Sequence, residues 1–343
     1  MTHRFPIKEI AQQAGLSTAT VDRALNKRAH VSPQTRRRVS DAISELEGQE
    51  TQLSARGRRM FIDFVVEAPA RFSREIRHAT EDVLPAFNPA VIRPRFNFKE
   101  RMSEEECAAI LKSIAKRGSQ GVCIKARDLP AIREGISELM KKGIPVVTIF
   151  TDISGSDRLA YAGLDNFNAG RTAAYLFANM LSHTNGTVLT TKSDTLFQGE
   201  DDRYQGFCEV MAHLRPDLHV LDASGGAGLN ASTAQKVELA ISNTPDICAV
   251  YSMGGGNTAI QQVLENLKRK PDVFIAHDLD ADNLRLLREG KITVVLQHDL
   301  REDIRIAFLH MMAHHKLVKL AVPPTASDIQ IITPMNIPSR FDV

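Results

Sequence analysis

The sequence predicts an all-α helix-turn-helix headpiece followed by an α/β body of two doubly wound, parallel-sheet lobes. Three observations carry that prediction. From Met60 onward, short β-branched and apolar runs alternate with helical patterns over more than 250 residues, as in open parallel sheets covered on both faces. So many strands exceed one comfortable core, which divides the body into two lobes. Residues 1–60 carry eleven Lys/Arg against six Asp/Glu, whereas the rest holds 32 against 35. A basic end on a slightly acidic body marks an appended module that meets a polyanion.

The 343 residues are 43% hydrophobic and 24% charged, with a formal net charge of +2, the composition of a folded globular protein. No apolar run reaches the roughly 18 residues that span a bilayer, and no apolar stretch backs the N-terminal charge. Cys107, Cys123, Cys208 and Cys248 lie far apart without a CxxC, so they read as reduced thiols. A bacterial cytoplasmic protein without a membrane partner is expected.

Ile7, Ile10, Ala11 and Ala14 recur at helical spacing, and Gly15 suits the left-handed residue that ends such a helix. Ser17 is an N-cap for a second helix from Thr18 to about Leu25, with Val21 and Leu25 facing inward. Ser32-Pro33 starts a third. Val39, Ile43 and Leu46 form its inner face, and Gly48 is expected to end it. Two short helices around a tight turn, followed by a third, make a helix-turn-helix module. Its second helix enters the major groove. Thr18, Ala19, Asp22 and Arg23 are the exposed base-reading candidates. Arg23 could grip a guanine edge, and Ala19 and the Thr18 methyl could touch thymine methyls. Ser17, Thr20, Asn26, Ser32, Gln34, Thr35 and Arg36 lie where side chains and helix N-termini meet phosphates. A plain three-helix bundle is the competing reading of the spacing.

The stretch Ile7-Lys-Glu-Ile-Ala-Gln-Gln-Ala-Gly-Leu-Ser-Thr-Ala-Thr-Val-Asp-Arg-Ala-Leu-Asn-Lys27, with Val31-Ser-Pro-Gln-Thr-Arg-Arg-Arg-Val39, resembles the DNA-binding headpiece of the LacI/GalR family of bacterial repressors. The resemblance implies that Thr18, Ala19 and Arg23 face base edges. It also implies a homodimer on a roughly palindromic operator of double-stranded DNA. Asp22 stands where the family usually has serine, and an acid there needs a cytosine amino group or a nearby arginine. The family's hinge pattern of aromatic, proline and minor-groove wedge is missing from Gly48-Gln-Glu-Thr-Gln-Leu-Ser-Ala-Arg-Gly-Arg-Arg59. Gly57 falls near the wedge position, and Leu53 is a substitute in another register. Residues 48–59 therefore read as a linker in which Arg56 and its neighbours touch phosphates, giving salt-dependent binding. The head is residues 1–47 and the body 60–343.

In the body, Phe61–Val66 reads as a buried strand. Strands follow at Val91–Phe98, Gly121–Ile124, Ile144–Ile149, Gly186–Thr190, Leu218–Leu221, Ile247–Tyr251, Asp272–Ala276 and Ile292–Leu296. Between and after them, helices are expected over about 103–116, 129–142, 168–181, 203–213, 230–243, 257–268, 280–289 and 303–315. An extended tail spans 329–337. Ser103 and Glu106 have capping-box spacing. Ligands of doubly wound lobes bind at the carboxyl ends of strands. The polar residues there are Lys125, Arg127, Thr151, Asp152, Asp165, Asn166, Ser193, Asp194, Gly254 to Asn257, Asp278, Gln297 and His298.

Ile144-Pro-Val-Val-Thr148, Gly163-Leu-Asp-Asn-Phe-Asn-Ala-Gly170, Asp202-Arg-Tyr-Gln-Gly-Phe207, Phe274-Ile-Ala-His-Asp278 and Val294-Val-Leu-Gln297 resemble the effector domain of the same family, in its branch near ribose-type periplasmic binding proteins (type I). The resemblance implies that Arg203, Asp278 and Gln297 bind sugar hydroxyls and that Phe72 stacks on the ring. Phe72, Lys125, Thr151, Asp152, Asp165, Asn166, Arg203, Gly254, Asp278 and Gln297 are the candidate ligand residues. Lys125 stands where an asparagine is common, and with Arg203 it would suit an acidic sugar. A sugar, a polyol or a sugar acid is the expected effector. The relatives' connectivity implies three crossovers, with an N-lobe of about 60–163 and 297–326 and a C-lobe of about 164–296 and 327–343.

His310 and His314 lie one turn apart, but with no glutamate base between them and no third ligand they do not read as a zinc site. Neither Ser224-Gly-Gly-Ala-Gly nor Gly254-Gly-Gly is followed by Gly-Lys-Ser/Thr, which argues against a nucleotide loop. No catalytic motif appears. The expectation is a nucleoid-associated transcriptional regulator, not an enzyme, without cofactor or metal. A cytoplasmic sugar-binding protein and a sugar-modifying α/β enzyme are the rivals.

Overall fold

The computed structural model describes residues 4–28, 31–55, 58–87, 90–182, 185–194, 196–244, 246–319 and 326–341, apart from the side chains of residues 48 and 50–55. Three helices open the chain: α1 (Ile7–Ala14), α2 (Thr18–Leu25) and α3 (Pro33–Ala55). Phe5, Ile10, Val21, Val39 and Leu46 form their shared core. Gly15 ends α1 at φ 61°, and the turn lets Leu16 N–H donate back to Ala11 O at 2.9 Å. Ser17 Oγ caps α2 by accepting from Thr20 N at 3.2 Å.

The third helix does not stop at Gly48; it continues to Ala55. One interior glycine costs a helix only about 1 kcal/mol, and Glu45, Leu46, Glu47, Gln49, Glu50, Gln52 and Leu53 around it are good helix formers. The first part of the segment expected to be a linker is thus helical. The Leu53 side chain, Arg56 and Gly57 lie outside the described residues.

The first lobe follows as β1 (Arg59–Glu67), α4 (Ala70–Val83), β2 (Val91–Lys99), α5 (Glu104–Arg117), β3 (Gly121–Lys125), α6 (Pro130–Lys141), β4 (Val146–Ile149) and β5 (Ala160–Ala162). Its strands are all parallel in the order β2-β1-β3-β4-β5. The second lobe holds α7 (Asn166–Met180), β6 (Gly186–Thr191), α8 (Gln198–Leu214), β7 (Leu218–Asp222), α9 (Asn230–Ile241), β8 (Ile247–Ser252), α10 (Asn257–Asn266), β9 (Val273–His277), α11 (Ala281–Arg288) and β10 (Val294–Gln297). After β10 the chain runs through α12 (Leu300–His314) to β11 (Gln330–Ile332). This sheet has the order β11-β10-β9-β8-β6-β7, and only β11 runs antiparallel to its neighbour.

α12 belongs to the first lobe although β10 belongs to the second. Ile304, Ala307, Phe308 and Met311 join Phe64, Ile76 and Phe87 in the first lobe's core, where Phe308 meets Phe87 edge-on at 5.3 Å. Two elements, α4 and β5, were not expected from the sequence. The capping box predicted at Ser103 and Glu106 is formed, with Glu106 N donating to Ser103 Oγ at 3.2 Å and Ser103 N to Glu106 Oε2 at 3.0 Å. Among the described residues, no helix is long and apolar enough to cross a membrane.

Candidate functional site

Carboxyl ends of strands in both lobes converge on a cavity of about 450 Å³, within the roughly 300–1,000 Å³ of small-molecule sites. From the first lobe come Glu67 at the end of β1, Phe72 on α4, Lys125 at the end of β3, and Phe150 and Thr151 after β4. The second lobe supplies Ser193, Glu200, Arg203, Gly254 and Asp278, and His298 lies on the segment between β10 and α12. Phe72 and Phe150 meet edge-on at 5.6 Å, which gives the cavity an apolar wall.

Arg203 on α8 is held from two sides. Its Nε donates to Asn166 Oδ1 at 2.7 Å and its Nη1 to Met253 O at 3.1 Å. Two bonds to uncharged oxygens orient the guanidinium without neutralising it. Asp278 sits in the left-handed region at φ 63°, where aspartate is tolerated better than most residues. Its Oδ1 accepts no hydrogen bond among the described residues and lies 3.4 Å from His298 Nε2. His298 Nδ1 in turn approaches Asp303 Oδ2 at 2.5 Å. Burial alone would lower the pKa of the His298 imidazolium, but Asp303 and Asp278 overcome it and push the ring up to about 10. Burial also opposes the Asp278 charge, yet His298 and Arg203 hold its carboxyl well below the usual range. The result is a buried Asp–His⁺–Asp row whose outer member, the Asp278 carboxylate, lines the cavity as an acceptor for a ligand hydroxyl.

Further charges are paired across and around the cavity. Arg71 on α4 reaches the second lobe, with Nε 2.7 Å from Asp280 Oδ2 and Nη2 donating to Gly228 O at 2.7 Å. Glycine is required where this arm passes, because a Cβ on Gly254 or Gly228 would strike backbone of the opposite loop. Glu67 Oε2 accepts from Arg127 Nε at 3.1 Å. Glu200 accepts from both N and Oγ of Ser193 at 2.6 Å, while burial raises its carboxyl.

Of the ligand residues predicted from sequence, Phe72, Lys125, Thr151, Arg203, Gly254 and Asp278 line the cavity. Four do not. Asp152 turns away into a bidentate pair with Arg158 and accepts from Thr148 Oγ1 at 2.7 Å. Asp165 caps α7 by accepting from Asn168 N at 3.0 Å. Asn166 lies behind Arg203 and orients it. Gln297 spends its amide on the chain, accepting from Leu279 N at 2.6 Å and donating to His298 O at 2.8 Å. It lines a second hollow behind the first. Glu67, Arg71, Glu200, Asp280 and Asn283 line the main cavity but were not singled out from sequence. Only Glu67, at a strand end, carried a signal that could have found it.

On the head, Ser17, Thr18, Ala19 and Arg23 are exposed along α2. Asp22 is compensated, with Arg28 Nη1 3.1 Å from its Oδ2 and Asn26 Nδ2 donating to its Oδ1 at 2.8 Å. The hydroxyl pairs Ser17–Thr20 and Ser32–Thr35 each close at 2.8 Å over a helix N-terminus, and Arg36 is exposed beside the second. Those two N-termini present unpaired N–H groups of the kind that hold phosphate.

Comparison with known proteins matches both parts. Residues 6–47 match the model for bacterial regulatory proteins of the lacI family, and residues 90–312 match the periplasmic binding protein domain. A ribose operon repressor of Halalkalibacterium halodurans is 25% identical over 255 residues, 72% of this chain and 70% of that protein. A sucrose operon repressor of Pediococcus pentosaceus is 25% identical over 221 residues, 63% of this chain and 64% of its own. The solved structure of a glucose-galactose binding protein from Geobacillus stearothermophilus superposes with a TM-score of 0.72 at 21% identity, covering 82% of this chain and 99% of that one. With two parallel-sheet lobes around a cavity and a helix-turn-helix head before them, this chain belongs to the periplasmic-binding-protein domain family and carries the DNA-binding head of the lacI family of bacterial regulatory proteins.

Proposed function

We propose that the chain is a cytoplasmic repressor that binds operator DNA as a homodimer and is switched by a small sugar-like effector held between its lobes. Thr18, Ala19 and Arg23 read base edges. Ser17, Thr20, Asn26, Ser32, Thr35 and Arg36 meet the backbone, joined by Leu53 and Arg56 of the linker, and Asp22 sets the Arg28 and Asn26 side chains beside them. A two-fold dimer places two such helices about one DNA turn apart. In the cavity, Phe72, Lys125, Thr151, Arg203, Gly254 and Asp278 take the effector, with Asn166 positioning Arg203. The observation that carries the reading is the Asp278 carboxylate, held through Oδ1 by His298, lining the same cavity as the oriented Arg203 guanidinium and the Phe72–Phe150 wall. A sugar offers that set its hydroxyls and its apolar C–H face. The two relatives named as operon repressors of ribose and sucrose support both the repressor role and the effector class.

An effector shifts operator affinity only by its differential affinity for two lobe arrangements, and couplings of about 1–3 kcal/mol are usual. The test is selection of duplexes from a random pool by full-length protein, then fluorescence anisotropy on the selected duplex with and without a panel of sugars, polyols and sugar acids. A preferred, roughly palindromic duplex released or tightened by one class supports the proposal. Equal affinity for all duplexes overturns it.

A further inference from the structure

The carboxylates and cations of the cavity do not pair off evenly. Glu67 is engaged by Arg127 at 3.1 Å, Asp280 by Arg71 at 2.7 Å, and Asp278 by His298 at 3.4 Å. Both oxygens of Glu200 accept from Ser193, whose uncharged N–H and hydroxyl orient the carboxylate without neutralising it. Beside the exposed Arg101, two less exposed cations of the cavity, Lys125 and Arg203, have no carboxylate at ion-pairing distance among the described residues. Lys125 Nζ donates to Glu67 O at 3.0 Å and lies 4.1 Å above the centre of the Phe197 ring. Arg203, only 5% exposed, bonds to Asn166 Oδ1 and Met253 O. A cation left in a buried site is costly unless something meets it. These two also come from opposite lobes, Lys125 from β3 and Arg203 from α8. Their like charges repel each other, and an anion between them would attract both.

We propose that the effector is an acidic sugar whose carboxylate lies between Lys125 and Arg203 while its hydroxyls turn to Asp278. This rests on the sugar-like effector proposed for the same cavity and narrows it to one class. Charge-assisted hydrogen bonds from a lysine and an arginine are about twice as strong as neutral ones. They form across the lobe interface, so the carboxylate would supply both affinity and the closing force. A neutral sugar leaves the two cations to the Glu200 carboxylate, which acts on both.

The experiment is isothermal titration of the full-length protein with D-galacturonate and D-gluconate against their neutral counterparts D-galactose and D-sorbitol. It is repeated on Lys125→Gln, with thermal melting and operator binding as fold controls. At least one acid is expected to bind tenfold or more tightly than its neutral counterpart, and Lys125→Gln to erase that preference. If Lys125→Gln fails to fold, Lys125→Met serves in its place, and the wild-type panel decides alone if both fail. A neutral sugar that binds as tightly as its acid, or a preference that survives in a folded variant, overturns the acidic class and leaves the sugar-like effector standing. No heat and no shift in operator affinity from any of the four overturns both.

Discussion

Gly170→Ala tests whether the seating of Arg203 depends on how closely α7 and α8 pack. A Cβ at Gly170 would stand 2.7 Å from Arg203 C and 2.9 Å from Phe207 N, with Arg203 O nearer still. All three are backbone atoms, so no side chain can swing aside. Restoring ordinary contact near 3.4 Å at the nearest atom, Arg203 O, requires the helices to separate by about 1.5 Å. Helix propensity favours the substitution by about 1 kcal/mol. Overpacking opposes it by about 1–3 kcal/mol and falls toward the upper end when backbone must move. Overpacking wins, leaving a net loss of about 1–2 kcal/mol. For a unit of lobe size that lowers Tm by roughly 2–8 °C. The displaced atoms belong to Arg203 itself, so its guanidinium leaves the position set by Asn166, and a shift beyond about 0.5 Å is enough to spoil a built site. Differential scanning calorimetry and effector titration should show both losses. A variant that melts higher and binds effector normally would refute the reasoning, because helix propensity would then have outweighed contact.

Three further outcomes are expected. Arg23→Ala should cost about 1–3 kcal/mol at one base position and relax specificity there; anisotropy on single-substituted duplexes checks this, and a uniform loss across sequences would make Arg23 a phosphate contact instead. Asp278→Asn keeps a residue that tolerates φ 63° but removes the anion facing the effector, so titration should show effector affinity falling at least tenfold while operator binding stays. His298 is raised in the folded state to about 10 from an ordinary 6.5, so its contribution is complete below about pH 6.5 and is lost as pH climbs through 10. The stability gap between wild type and His298→Gln in urea unfolding should therefore be a few kcal/mol at pH 6 and shrink steadily toward pH 10; a gap that widens with pH would mean the ring is neutral in the fold.

Strand-helix alternation made the lobes legible because buried parallel strands such as Val146–Ile149 are continuous apolar runs with little else to resemble. α4 was hidden for the opposite reason. Its buried face contains Ser73 and Thr80 beside Ile76, Ala79 and Val83, so the apolar stripe is broken, and six charged side chains and His78 surround it. β5 has three residues, too few for any period to show. The cavity was legible where strands end, which located Lys125, Thr151 and Asp278. On helices it was legible only through the family resemblance, which gave Phe72 and Arg203; Glu200 and Arg71 reach inward from the same α8 and α4, and nothing in a helical pattern distinguishes a solvated charge from one aimed at a cavity. Gln297 and Asp152 follow strands as well, yet the backbone N–H of Leu279 and the Arg158 guanidinium claim them. Those partners are distant in the chain or unremarkable in it.

The attachment of the head constrains how occupancy can reach DNA. β1 follows the linker directly, and Lys319 Nζ, beyond α12, lies 2.6 Å from Glu47 Oε2 on α3. β1 and α12 both belong to the first lobe's core. If an effector draws Lys125 and Arg203 together as proposed, the second lobe would move against this body, and within one chain the head need not move at all. Occupancy changes operator affinity only if something rests on both lobes and converts their rotation into a new distance between two heads. A second copy seated across the lobes meets that condition, since half-site spacing is the quantity a two-fold operator measures. On the proposed reading the inter-lobe charges and dimerisation would be parts of one device, with the first setting how far the lobes close and the second making that closure visible to DNA.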